Sequence, residues 1–261
     1  MSRSCHRGVL IPALALAIAA LAAACGGGSQ ESAAPAEPPP TTSPVDPATA
    51  GNISGRVMFE GTAPKPAVIQ MNADPNCVKT GGPATDESVL VGENGALRNV
   101  FVYVKDGLGD LRFPVPSNTA VLDQRGCHYT PHVLGVQVGQ PMEVLNSDPT
   151  MHNVHAVAVA NREFNTGQPI AGMKHTHTFS TREVMVPFKC DVHPWMRAYA
   201  GVLDHPYFAV TGADGTFRLT GLPPGTYVVE AWHETLGTRT QTVTVDAKGT
   251  ADVALSFKST T

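Results

Sequence analysis

From residue 51 onward, apolar and polar positions alternate with a period of two, in short runs broken by Gly, Pro, Asn and Asp. Residues 53–59, 100–104, 133–138, 142–145, 154–159 and 181–188 are alternating or β-branched runs, and each predicts a strand. No stretch after residue 50 sustains a helical period. Short strands separated by turn signals predict an all-β chain built of packed sandwiches. Toward the C-terminus, residues 208–219 read as strand, Asp214-Gly215 hairpin turn, strand, and Pro224-Gly225 opens a further strand that runs to Trp232.

The first fifty residues break this pattern. Arg3 and Arg7 precede an apolar stretch over residues 9–24, too short for a confident membrane span. Leu21-Ala22-Ala23-Ala24-Cys25, followed by three glycines, resembles a bacterial lipoprotein signal in which Cys25 becomes the lipidated first residue. Ala22 stands where such signals usually carry Leu, so an ordinary secretory signal cut nearby stays open. Either reading exports the chain, and the favoured one makes it a periplasmic or cell-surface lipoprotein. Residues 26–50 are rich in Pro, Ala, Ser, Thr and Glu and read as a disordered tether. A net charge of −4 with no basic run argues against nucleic acid as a partner.

Export changes the meaning of the cysteines. Beyond Cys5 and Cys25 there remain Cys77, Cys127 and Cys190, an odd number for an oxidising compartment. If Cys190 is a metal ligand, Cys77 and Cys127 are left to form a disulfide. Two unpaired buried thiols are the alternative.

Cys190 begins the cluster Cys190-Asp191-Val192-His193-Pro194-Trp195-Met196, and Met151-His152-Asn153-Val154-His155 lies upstream. A thiolate, two imidazoles and a thioether suit a mononuclear copper that changes between Cu(I) and Cu(II). Zinc takes thiolate, imidazole and carboxylate but rarely thioether, so Met196 favours copper over a structural zinc. Strand parity puts Cys190 on the side of Val184, Val186 and Phe188. It puts His152 and His155 on opposite faces, so they cannot easily share one metal. His152, at a strand start beside the loop 146–150, is the better fourth ligand. His175 and His177 share a face and could hold a second metal. They, with His128, His132, His205 and His233, read more simply as satisfied or solvated side chains.

At these residues the chain resembles the cupredoxins, the type 1 copper proteins, and within them the amicyanin-like and plastocyanin-like members. Tyr129-Thr130-Pro131, Val136-Gln137-Val138-Gly139, Asn146 and His152-Asn153 follow that family's order, and the short Cys-x₂-His-Pro-x-Met loop is its amicyanin form. The resemblance implies a Greek-key β-sandwich holding one copper on His152, Cys190, His193 and Met196. It implies that Asn153 ties the two ligand loops together, and that His155 is not a ligand. His193 reads as the electron port because Pro194 and Trp195 share its loop and could form a docking patch, with packing of Trp195 over the site as the alternative, and the expected partner is a redox protein such as a cytochrome c or a dehydrogenase. The long, His-rich segment 161–178 and the pair Cys77 and Cys127 depart from the amicyanin pattern.

The C-terminal pattern around Asp214-Gly215 and Leu222-Pro223-Pro224-Gly225-Thr226-Tyr227 resembles carboxypeptidase regulatory-like domains, small transthyretin-like sandwiches used for support or docking. Residues 206–261 are short for such a unit. Gly51-Asn52-Ile53-Ser54-Gly55-Arg56-Val57 fits its missing first strand, so residues 51–97 read as an extension, either packed on the copper domain or completing the last sandwich. The expected order is signal 1–25, tether 26–50, extension 51–97, copper domain 98–205 and regulatory-like sandwich 206–261. With all four copper positions filled by protein, the expectation is a one-electron carrier without a small-molecule substrate, not an enzyme. A copper chaperone or store, or a non-redox scaffold, are the alternatives.

Overall fold

The computed structural model describes residues 40, 41 and 43–259, so the expectations for the signal, for Cys25 and for most of the tether lie outside the described residues. The strands in chain order are β1 Gly51–Glu60, β2 Phe101–Asp106, β3 Ala120–Arg125, β4 His128–Thr130, β5 Val133–Gln137, β6 Pro141–Asn146, β7 His152–Ala156 and β8 Phe164–Gln168. They continue as β9 Lys174–Thr178, β10 Glu183–Lys189, β11 Arg197–Leu203, β12 Phe208–Val210, β13 Thr216–Leu222, β14 Gly225–His233, β15 Gly237–Val245 and β16 Thr250–Lys258. A short helix, α1, spans Pro75–Gly81.

Two pairs of sheets make two sandwiches. The first pair has orders β5-β11-β10-β7-β8 and β4-β3-β6-β9, and the second β13-β1-β16 and β12-β2-β14-β15. Each pair encloses its own apolar core. In β1, Ile53, Val57 and Phe59 share one buried face, as a period of two requires. That strand lies antiparallel to β13 and parallel to β16, so the second sandwich is closed by the first strand of the described residues.

The expected domain boundary at residue 98 is displaced by β2, which pairs with β12 and β14 and belongs to the second sandwich. The run Phe101-Val102-Tyr103-Val104 is buried throughout. Val102 and Val104 enter the second core, whereas Phe101 and Tyr103 face a third cluster that joins the sandwiches. A continuous apolar run marks a strand covered on both faces and does not say which sheet owns it.

The joint between sandwiches is tight because two glycines oppose each other. Gly135 in β5 and Gly201 in β11 are direct partners in the ladder. A Cβ on Gly135 would lie 2.2 Å from the Phe208 ring, and one on Gly201 2.2 Å from Phe101 Cζ. The missing side chains make a shallow seat for these rings, which lie 5.8 Å apart. His132 and Glu234 pair across the same joint.

Residues 61–97, expected as a β extension, carry α1, a 3-10 turn at Glu93–Gly95 and isolated bridges after β1 ends. Asp74 caps α1 by accepting from Asn76 N at 2.8 Å, and Pro75 occupies the first turn. Seven residues are too few for a hydrophobic period to emerge, so the pattern of the chain did not predict this helix. The segment leaves the second sandwich and lays Met71, Cys77 and Ala84 onto the core of the first.

Candidate metal centre

The site lies at one end of the first sandwich. β7 begins with His152, and the turn after β10 carries Cys190, His193 and Met196. That turn closes on itself, with Met196 N donating to His193 O at 2.9 Å and Cys190 N to Met196 O at 3.3 Å. Cys190, His152, His193 and Met196 are all buried. A ligand atom from each of His152, Cys190 and His193 lies within 4.8 Å of the others. Met196 packs in the same core cluster as Cys190.

The two imidazoles are held from behind by carboxylates. His152 Nε2 lies 2.9 Å from Asp148 Oδ2, and His193 Nε2 lies 3.1 Å from Asp74 Oδ2. A carboxylate at Nε2 keeps the proton there and leaves the Nδ1 lone pair free. The two Nδ1 atoms do converge, 3.0 Å apart, and His193 Nδ1 lies 3.9 Å from Cys190 Sγ. Two inward lone pairs beside a buried sulfur are a donor set that a soft or borderline cation fits.

Asp148 is itself fixed, accepting from Gly126 N at 2.7 Å and Cys127 N at 2.8 Å. Asp74 also accepts from Thr150 Oγ1 at 2.6 Å, a bond that holds its carboxyl below the usual range despite partial burial. Neither carboxylate was among the residues singled out from sequence. Asp148, four residues before His152, and the Asp74-Pro75 helix start were the available signals.

Burial alone would push the Cys190 thiol up. Hydrogen bonds from His152, His193 and the backbone N–H groups of Asn153 and His193 outweigh it and bring the thiol down to about 6. Burial would likewise depress His152, but Asp148 and the Cys190 sulfur raise it to about 9. The lowered thiol brings Cys190 closer to the thiolate form that binds metal.

Asn153 Oδ1 accepts from Asp191 N at 2.6 Å, joining the start of β7 to the Cys190 loop. His155 points away from the cluster and pairs with Asp191 and Glu163. The parity expected for Val184 is not kept. A register shift between Glu183 and Val186 turns Val184 outward, while Val186, Phe188 and Cys190 stay inside.

His193, the expected electron port, is buried. Its ring is 2% exposed, because Asp74 and Cys77 of the α1 segment cover its outer edge. The structure joins Cys77 to Cys127 in a disulfide, which pins that segment over the loop. Pro194 is exposed. Trp195 is half-buried, donates from Nε1 to Cys127 O at 3.0 Å and lies 5.1 Å from the His193 ring. His175 and His177 flank Phe164 at the opposite sheet and meet no third ligand among the described residues.

No curated protein matches the chain in sequence. Among solved structures, a purple cupredoxin from Nitrosopumilus maritimus is 22% identical over 32% of this chain and 98% of its own, with a TM-score of 0.28. A methionine-to-alanine variant of amicyanin in its Cu(I) form is 24% identical over 39% of this chain and 97% of its own, with a TM-score of 0.29. A copper-containing nitrite reductase from Thermus scotoductus is 18% identical over 57% of this chain and 28% of its own, with a TM-score of 0.31. These values bear on no residue's role. The family model of the carboxypeptidase regulatory-like domain matches residues 202–258, which take in β12 to β16. Residues 202–258 are thus similar to a carboxypeptidase regulatory-like domain, and the other β-sandwich carries the buried cluster of Cys190, His152 and His193.

Proposed function

We propose that this is an exported, membrane-tethered copper protein that carries one electron at a time between redox partners. The supporting observation is the convergence of the Cys190 sulfur with the inward nitrogens of His152 and His193, all buried, on a loop closed by Met196. His152, Cys190, His193 and Met196 would hold the metal, with the thioether of Met196 the weakest donor of the four. Copper bound there would supply reversible one-electron chemistry.

The chain's own residues supply rigidity and dryness. Asp148 and Asp74 fix the ring orientations, Asn153 fixes the loop, and the surrounding core excludes water. Four protein donors leave no open position for substrate, which favours a carrier over a catalyst. With His193 covered, the route to a partner would pass through the adjoining indole of Trp195, beside exposed Pro194. The partner would be a redox protein such as a cytochrome c or a dehydrogenase. Lipidation at Cys25 would keep the carrier at a membrane, in the periplasm or on the cell surface.

The test is the absorption spectrum of the Cu(II)-loaded protein. An intense visible thiolate-to-copper band, absent in Cys190→Ser, supports the proposal, and a colourless protein holding tetrahedral zinc ends it. The covered edge of His193 favours copper storage or delivery as the second reading. Tight Cu(I) retention with slow electron exchange would select it.

A further inference from the structure

The Cys77–Cys127 disulfide lies against the metal centre. Cys77 Sγ is 3.5 Å from His193 Nε2, and the sulfurs of both cysteines lie within 4.8 Å of a ring nitrogen of His193. Cys127 also groups with Asp148 and His152 at the same spacing. All three residues of the first group are buried. His193 therefore faces two sets of donors. Nδ1 looks toward His152 and Cys190, while Nε2 looks toward Cys77 and the Asp74 carboxylate.

We propose that Cys77 and Cys127, once their disulfide is reduced, form with His193 a second metal site that binds Cu(I) or Zn(II). Asp74, 3.1 Å from the same Nε2, is placed to give a fourth donor. Two thiolates, an imidazole and a carboxylate are the donor types that these cations select. The step is balanced by a dithiol. Its two thiols close to a disulfide as the Cys77–Cys127 bond opens, and two electrons and two protons pass to the freed sulfurs. Binding of the metal then displaces both thiol protons and the proton on His193 Nε2, which moves to Nδ1 or, where Nδ1 already holds a metal, to solvent.

The site would convert a covalent clasp into a coordinate one. The disulfide spans 50 residues and ties α1 to the turn between β3 and β4. Reduction alone would release α1 from above His193, and a metal on the two thiolates would restore the closure. Metal supply and thiol redox state would then act on one strap. The site shares His193 with the proposed copper centre but does not depend on copper occupying it.

The experiment compares the oxidised mature chain with the chain reduced by dithiothreitol and freed of reductant without oxygen. Each is titrated with Zn(II), and separately with Cu(I), against a competing chelator. Metal per chain and ultraviolet thiolate–metal absorption are read together. The expected result is one additional metal per chain on reduction, with a matching gain in absorption. The increment should vanish in Cys77→Ser/Cys127→Ser. It should also vanish in wild-type chain alkylated after reduction with its first site metal-loaded, a control that holds if the double variant does not fold. Equal stoichiometry in both redox states, or an increment that survives alkylation, overturns the proposal. An oxidised chain that takes up no metal defeats the copper reading alone, because the increment on reduction is read independently.

Discussion

Asp74 Oδ2 stands 3.1 Å from His193 Nε2 across 119 residues of sequence, while Asp74 Oδ1 caps the helix behind it. One carboxylate thus fixes an imidazole of the metal centre and the first turn of the segment that covers it. Asp74→Ala should lose both roles. The expected loss is about 1 kcal/mol of stability from the cap and roughly 10- to 100-fold in metal affinity from the freed ring. Asp74→Asn keeps a capping side chain, so it should retain stability while still weakening metal binding. Urea denaturation and chelator competition measure the two effects separately. Equal metal affinity in all three proteins would remove Asp74 from the site.

The glycine seat predicts a different cost. In Gly201→Ala the new methyl would lie 2.2 Å from Phe101 Cζ, and strand and ring must part. Overpacking of this kind costs about 1–3 kcal/mol. The urea midpoint should fall accordingly, and Phe101→Leu in the same chain should recover part of the loss. No recovery in the double variant would mean that the clash is not with that ring.

His132 predicts a stability that fades in alkali. Burial pushes its pKa down, but the hydrogen bond and charge of Glu234, with the charge of Glu87, outweigh burial and raise it. A raised folded value means that the unfolded chain gives up this proton first. The contribution is complete below the unfolded value of about 6.5 and is lost as pH rises through the folded one. His132→Gln should therefore be less stable than wild type in mild acid and approach it above neutrality. Thermal midpoints across that range test this, and a constant difference between the two proteins would contradict it.

His205 acts in the opposite sense. Burial depresses its pKa to about 4, and its Nδ1 accepts from Tyr207 N at 3.2 Å in the neutral form. Stability from neutral His205 is present above about pH 6.5 and declines as pH falls toward the folded value. The full effect is on the order of 3 kcal/mol, from roughly 1.4 kcal/mol per pH unit. His205→Asn keeps an acceptor without a titrating group and should flatten the acid limb of the stability curve. An unchanged acid limb would assign the loss to other groups.

The residues of the candidate cluster could be picked out because Cys190, His193 and Met196 lie within seven residues and His152 begins a strand. Local spacing and strand parity sufficed to bring them forward. The carboxylates behind the imidazoles were not legible in the same way. Asp74 reaches His193 only after the chain has left one sandwich and crossed to the other, and no local period records that path. β2 was assigned to the wrong sandwich because an apolar strand covered on both faces fits either. The pairing of β1 with the C-terminal strands could be framed from a single Gly-rich opening motif, but the choice between packing on one sandwich and completing the other needed the ladder itself.

The position of β1 constrains how this chain can be made. It is the first strand among the described residues, yet its neighbours are β13 and β16, and Ser54 bonds Asp252 across 198 residues. Its ladder cannot close until residues 250–258 have been made, and contacts so distant in sequence form slowly. A chain that stops short of residue 250 would retain β1 with one edge unpaired, a template for joining other chains.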